Sequence, residues 1–508
     1  SSDAIVTIPA SSEYTNAPVV TSAETHVGTI DIASTAELTL GNGSTEIDFY
    51  ISGDYSSGAT IGGTILLTAN AAFNVPTTAD ITLANVNFGS GTSKIWGDSS
   101  SKVTITNAVY DSESIINSNV NLMLPGGTLR NITMNGNTLT LSGFVDLKGD
   151  FKINGTLITE DDFSAGRIIF ETADSEFAPS KEGTKISLTT NEWDNSIGGT
   201  FTHNKSTVVF ELSKLIGAEN QVFYNVESKT FIIEIDGTLT VEGNVDFSAG
   251  GIVSGANIIF SNADVSTTQY FYASSTSATT LGTVQFAGTL EIASGSVISD
   301  TISSMSDNAK LAVDDGALLS TGSLSTGTIE STGTLEFSSS GTLSVSDMAN
   351  SLIGDITIDD GVTLTLAQDT VFSGNWTNNN TTRGGLSSGG YVVTFDCTSA
   401  EVIGDTTFGA VIFSKDAFIE GSNSFTDFSC ETAGVGLIFT DGTTQTISGT
   451  LTLTGAEGNL VSLDSLNSGT WTIDIPVSNA SVSYASVKNS ISVNDSIIAE
   501  NSEDLGNN

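Results

Sequence analysis

Residues 333–345 read G-T-L-E-F-S-S-S-G-T-L-S-V, two short runs in which leucine, phenylalanine and valine alternate with small polar residues, each run entered through a glycine. An apolar residue at every second position is the pattern of a strand with one buried and one wet face, and the glycine supplies the turn before it. Gly-Thr-Leu recurs seven times, beginning at Gly127, Gly155, Gly237, Gly288, Gly333, Gly341 and Gly449. A strand that buries one face needs a neighbour, and many similar strands in one chain make each copy the neighbour of another. The spacings of the triplet are 28, 82, 51, 45, 8 and 108 residues, so it marks strand entries and not a fixed repeat unit.

The same alternation extends outward from this stretch. Thr64 to Leu67, Val103 to Ile105, Thr138 to Leu141, Thr207 to Phe210, Asp355 to Ile358, Val392 to Phe395 and Trp471 to Ile475 all read as strands separated by Gly, Asn, Asp and Ser. Helical periodicity is nearly absent, and its best candidate, Leu212 to Ile216, is too short to stand alone. The expected fold is therefore all-β: an elongated, right-handed parallel β-solenoid (β-helix) with coils of roughly 20–30 residues. The alternative is a string of antiparallel β-sandwich domains, favoured by tryptophans at 96, 193, 376 and 471, whose gaps fit one long period with a skipped copy. Degenerate solenoid repeats are expected over 1–435 with no internal boundary. A C-terminal β module over 436–508 is expected to continue the solenoid.

Composition narrows function by exclusion. The 508 residues carry 58 acidic against 15 basic side chains, a net charge of −43, so nucleic acid and anionic lipid are not expected partners. Only 14% of residues are charged, and the remaining polarity is neutral Ser, Thr, Asn and Gly. Like charges stacked on successive coils would repel, so neutral strands suit a stack. No run approaches the ~18 apolar residues of a membrane span.

Candidate chemistry is sparse. The two histidines, His26 and His203, are far apart and read as surface polar residues, which leaves nucleophile triads without a base. Cys397 and Cys430 read either as a disulfide between neighbouring coils or as a pair of buried thiols. Stacked carboxylates could span a sugar in the manner of glycosidases, or ligate Ca²⁺ through oxygen. The candidates are the doublets Asp161-Asp162, Asp314-Asp315 and Asp359-Asp360. Each adjoins a turn, where Asp is expected for local backbone capping. The resulting expectation is no enzymatic activity and no cofactor, with Ca²⁺ the one metal considered. Thr-x-Thr at 138–140, 238–240, 363–365 and 450–452 is too irregular in sequence to promise a continuous threonine face.

Residues 436–508 resemble a module of large bacterial outer-surface repeat proteins, including those of spirochaetes. The resemblance rests on Ile438-Phe439, the stretch Thr444 to Gly455, Trp471-Thr472-Ile473, Val482 to Lys488 and the closing Asn507-Asn508. It implies an exported, cell-surface adhesin-like repeat protein serving as a stalk, sheath or filament subunit. Ser1-Ser2-Asp3 reads as a mature terminus or a cut boundary, so a signal peptide is expected to have been removed. Partners implied are further copies stacked end to end, surface glycans, or a host or neighbouring cell surface. The alternative function is a polysaccharide-binding or polysaccharide-degrading β-helix. An aromatic-and-carboxylate face would favour the alternative, and a uniform Ser/Thr coat the structural role.

Overall fold

A computed structural model describes residues 5–508 apart from 14–15, 42–45, 53–54, 56–57, 112, 191, 212–213, 218–220, 230–232, 237, 250–256, 265, 274–278 and 495. The chain forms two compact units, Ser1–Val245 and Asp246–Asn508, and residues 436–508 lie within the second. Each unit is a parallel β-solenoid. In the first, one sheet runs Val19–Val20, Glu37–Leu40, Ala59–Leu67, Asp80–Phe88, Lys102–Tyr110, Asn121–Leu124, Thr138–Leu141, Thr156–Thr159, Glu176–Pro179 and Thr200–Phe201, each strand pairing with the next in the chain's own order. In the second, Thr370–Phe372, Val392–Phe395, Ala410–Phe413, Asp427–Cys430, Leu451–Thr454, Ala480–Ser483 and Ala499–Glu500 stack in the same way. Among the described residues the strand pairs are parallel, and the single antiparallel bridge, Ala456 with Asn459, closes a local turn. Parallel pairing between successive turns excludes the antiparallel sandwich.

Turn length explains why no period could be read from the sequence. Level positions on neighbouring turns are 17 residues apart at Leu122 and Leu139, but 27 apart at Leu40 and Leu67. The variation is absorbed in the loops, because the ladder constrains only the strands. At Gly333 a side chain has no room: a Cβ there would lie 2.2 Å from the Asp314 carbonyl oxygen and 2.5 Å from that of Ala317. The recurrent glycine thus admits a strand entry close beneath the preceding turn.

Inward positions build columns of like residues. Phe372, Phe395, Phe413 and Phe428 follow one another at ring-centroid distances of 5.9, 5.2 and 5.2 Å. In the first unit Trp193 packs among Phe170, Phe177, Phe201 and Phe223. Burying each such ring contributes about 1.5–3 kcal/mol, and favourable ring pairs add roughly 0.5–1.5 kcal/mol. Trp193, Trp376 and Trp471 are at most 1% exposed, so their sequence spacing reflects core columns and not sandwich domains. Lys214–Gly217, within the segment whose helical periodicity is too short to stand alone, forms a strand pairing with Ile233–Asp236; residues 212 and 213 lie outside the described ones. Among the described residues, no helix is long and apolar enough to cross a membrane.

Candidate functional site

The six aspartates singled out from sequence lie in three separate turns, after strands of three different sheets. The Asp161 carboxylate accepts hydrogen bonds from Lys181 Nζ and the Asp162 N–H, both at 3.0 Å. Lys181 holds its pKa below the ordinary value. Asp162 accepts the Lys185 N–H from the next turn at 2.8 Å. Asp360 accepts the Thr381 N–H at 2.9 Å and the Thr381 hydroxyl at 3.2 Å. The carbonyl oxygens of Asp314 and Asp359 close their own turns by accepting from Ala317 and Val362, at 2.9 and 3.1 Å. Among the described residues no hydrogen bond joins Asp314-Asp315 to Asp359-Asp360 within the second unit, and no group of three or more His, Cys, Asp or Glu side chains is placed to hold a metal.

A recurrent use of acid was not recognised from sequence. In Asp-x-Ser turns at Asp98, Asp194, Asp246 and Asp264, one carboxylate oxygen accepts both the N–H and the hydroxyl of the serine two residues on. The serine hydrogen bonds depress the pKa of Asp98 and Asp264. These four Asp-x-Ser triplets cap their own turns, whereas Asp162-Phe163-Ser164 and Asp427-Phe428-Ser429 share the pattern and their carboxylates bond the next turn.

Both cysteines are free thiols. Burial pushes the Cys430 thiol up to about 11, while Cys397 is partly exposed, so the disulfide reading is set aside and only one thiol is deeply buried. The two histidines are less isolated than their sequence positions suggested. His203 lies 3.3 Å from Glu242 and stacks on Tyr224. His26 Nε2 is 2.6 Å from Glu24 Oε1, and its ring stacks on Tyr50 at 4.4 Å with the planes 5° apart.

The His26–Tyr50 pair begins the most distinctive outer face in the first unit. It is carried by Glu24–Val27, Ile47–Ile51, Ala71–Asn74 and Gly91–Trp96, which pair in that order. Val27, Phe49, Phe73 and Ile95 point inward and are buried. The alternate positions therefore point outward and stack in two columns. One is His26, Tyr50, Asn74 and Trp96; the other is Glu24, Asp48, Ala72 and Lys94. Trp96, unlike the three core tryptophans, is partly exposed. The short outward residues Ala72 and Asn74 are buried, at 1% and 6% exposure. The residues level with them on the strands to either side are Asp48 with Lys94 and Tyr50 with Trp96. Lys94 also pairs with Glu46, so this ion pair joins turns on both sides of Ala71–Asn74. Burial first, then the Asp48 and Glu24 charges, raise the Tyr50 pKa.

A smaller outer cluster lies in the second unit. Tyr270 and Tyr272 stack at 5.9 Å, with Glu291 level with Tyr270 on the next strand. Partial burial, then the Asp314 charge and a hydrogen bond with that carboxyl, raise the Glu291 pKa. Asp314 is the one sequence candidate found beside aromatic side chains, in the sense that its charge also acts on Tyr272. A cavity of about 650 Å³ among the last turns is lined by Leu451, Leu453, Trp471, Ile473, Val482 and Ile497 among others. Of these, Leu451, Leu453, Trp471, Ile473 and Val482 are buried strand residues of the inward columns.

In the sequence Trp96 enters only through the spacing of the tryptophans. Its signal was local: Ile95 is apolar and follows Ser93-Lys94, so alternation puts Ile95 inside and Trp96 outside. Compared with known proteins, the chain matches no family model, no curated protein and no solved structure.

Proposed function

We propose that this is a non-enzymatic extracellular protein of the cell surface, a structural and adhesive component of a stalk, sheath or filament. End-to-end association of further copies, and contact with surface glycans or a neighbouring cell, would be its interactions. The observation that carries this reading is the fate of the acidic turns. Carboxylates such as Asp161, Asp162 and Asp360, the natural candidates for acid–base or calcium chemistry, are engaged in capping turns and bonding the next coil. A catalytic pair needs two carboxyls facing one substrate, and the doublets stand on different sheets. Protease shaving of intact cells, with electron microscopy of the released material, tests the reading. Release of an extended, polymerised chain from the surface is expected; recovery only from the cytosol would contradict it.

A second reading, polysaccharide binding, is favoured by the face bearing Tyr50 and Trp96, which departs from a uniform Ser/Thr coat.

A further inference from the structure

We propose that the outer face formed by His26, Tyr50 and Trp96 is a binding platform for a neutral polysaccharide, taking a short run of pyranose rings along the column. The inference rests on the adhesive part of the reading above and on four features of this face.

The first is the exposure of a tryptophan in a protein that buries its three others almost completely. His26 stacks on one face of Tyr50, so the apolar ring surface offered to a ligand is that of Trp96 and of the Tyr50 face turned away from His26. The second is order. The Glu24 carboxylate fixes the His26 imidazole at 2.6 Å, and the imidazole lies nearly parallel to Tyr50. Ala71–Asn74, whose four residues are all buried, sets the floor between Tyr50 and Trp96. Rings mounted on a paired ladder lose little freedom on binding, which favours affinity. The third is the polar rim: the Glu24 and Asp48 carboxylates can accept hydrogen bonds from a ligand, and the Tyr50 phenol can donate one. A pyranose, apolar on its ring faces and hydroxylated around its edge, matches this arrangement.

Charge supplies the fourth. Glu24, Asp48 and Glu46 make the rim acidic, and Lys94, the cation of this face, is paired with Glu46. An anionic glycan would meet repulsion in a chain of net charge −43. A small cation would be drawn to the acidic rim, but the rings here lie in one column along the ladder and do not surround it as the aromatic cages that hold cations do. The uncharged glycan is left as the occupant. From His26 to Trp96 the column spans three ladder steps, roughly 14 Å, which suits an oligosaccharide better than a single sugar.

The test is a glycan array probed with the whole chain, followed by calorimetric titration with neutral gluco-, manno- and xylo-oligosaccharides. Binding of at least one neutral series is expected, with a change in tryptophan emission. Trp96→Ala and Tyr50→Ala should each weaken it about tenfold or more, the loss of an aromatic contact at the centre of a small site. Trp96→Phe should recover part of the loss, and Tyr391→Ala, at an exposed aromatic elsewhere, should leave affinity unchanged. Circular dichroism melts confirm that each variant is folded. Failure of every neutral series to bind would overturn the proposal, as would binding indifferent to Trp96→Ala and Tyr50→Ala. Binding restricted to anionic glycans or to quaternary ammonium ligands would overturn it too. Because the assay uses purified protein, such a failure would leave the surface location and structural role to be judged by the shaving experiment.

Discussion

The outer face at Glu24–Trp96 and the outer face at Val392–Thr454 are built on the same plan and carry different surfaces. Both rest on parallel strands with buried aromatic columns, Phe49 and Phe73 in one and Phe395, Phe413 and Phe428 in the other. Outside, the second presents Thr394, Ile412, Ser429 and Thr452 in register, and its Asp427 is occupied in accepting the Thr450 N–H and hydroxyl. The first presents His26, Tyr50 and Trp96 beside Glu24, Asp48 and Lys94. Inward columns specify the stack, and outward columns are free to differ. In this fold, recognition is expected where the outside departs from small hydroxylated residues.

The sharpest way to break this comparison is to exchange its inside and outside. Trp376→Ala, in a core column, should cost about 3–5 kcal/mol in urea unfolding, whereas Trp96→Ala should cost well under half as much. Equal losses would mean that Trp96 is a core residue. Next in size is a close approach: Gly333→Ala would push a Cβ against two carbonyl oxygens. The cost should be about 1–3 kcal/mol, and a neutral result would show that the strand entry can move aside.

A buried polar network should follow. The Asn378 side-chain amide donates to the Gly384 and Asp405 carbonyls and the Thr406 hydroxyl, and the Thr406 hydroxyl oxygen also accepts from Trp376 Nε1. Asn378→Ala leaves those acceptors short of a partner and should cost about 1–3 kcal/mol; a melt indistinguishable from wild type would show that water replaces the amide.

The smallest expected effects are electrostatic. Asp98, Asp161 and Asp264 have folded-state pKa values below their unfolded ones, so the stability they add is complete above the unfolded value, about 3.9. It is lost as pH falls through the folded values. Glu291 has the opposite sign: its raised pKa means that the folded state holds the proton more strongly, so its contribution to stability falls as pH rises from the unfolded value, about 4.3, through the folded one. Glu291→Gln should therefore raise the melting temperature slightly at neutral pH and leave it unchanged under acid conditions. A larger gain in acid would reverse the assignment.

Much of the fold was legible because period-two alternation directly encodes which face is buried. Leu335 and Phe337 point inward as the opening stretch predicts. Turn length was not legible, because the sequence signals where strands start, while the ladder, formed among the described strands by residues 16 to 29 positions apart, sets what lies beside what. The aspartate doublets were visible, but their placement after strands of three different sheets was not, since sheet assignment depends on the three-dimensional path. The pairing of Tyr50 with His26, and their alignment with Trp96, likewise needed the register.

Collisional quenching of tryptophan fluorescence by acrylamide tests the alternation of inside and outside most directly. One of the four tryptophans should be readily quenched and three protected, and Trp96→Phe should remove the accessible fraction. Comparable quenching of several tryptophans, or an accessible fraction that survives Trp96→Phe, would contradict that alternation.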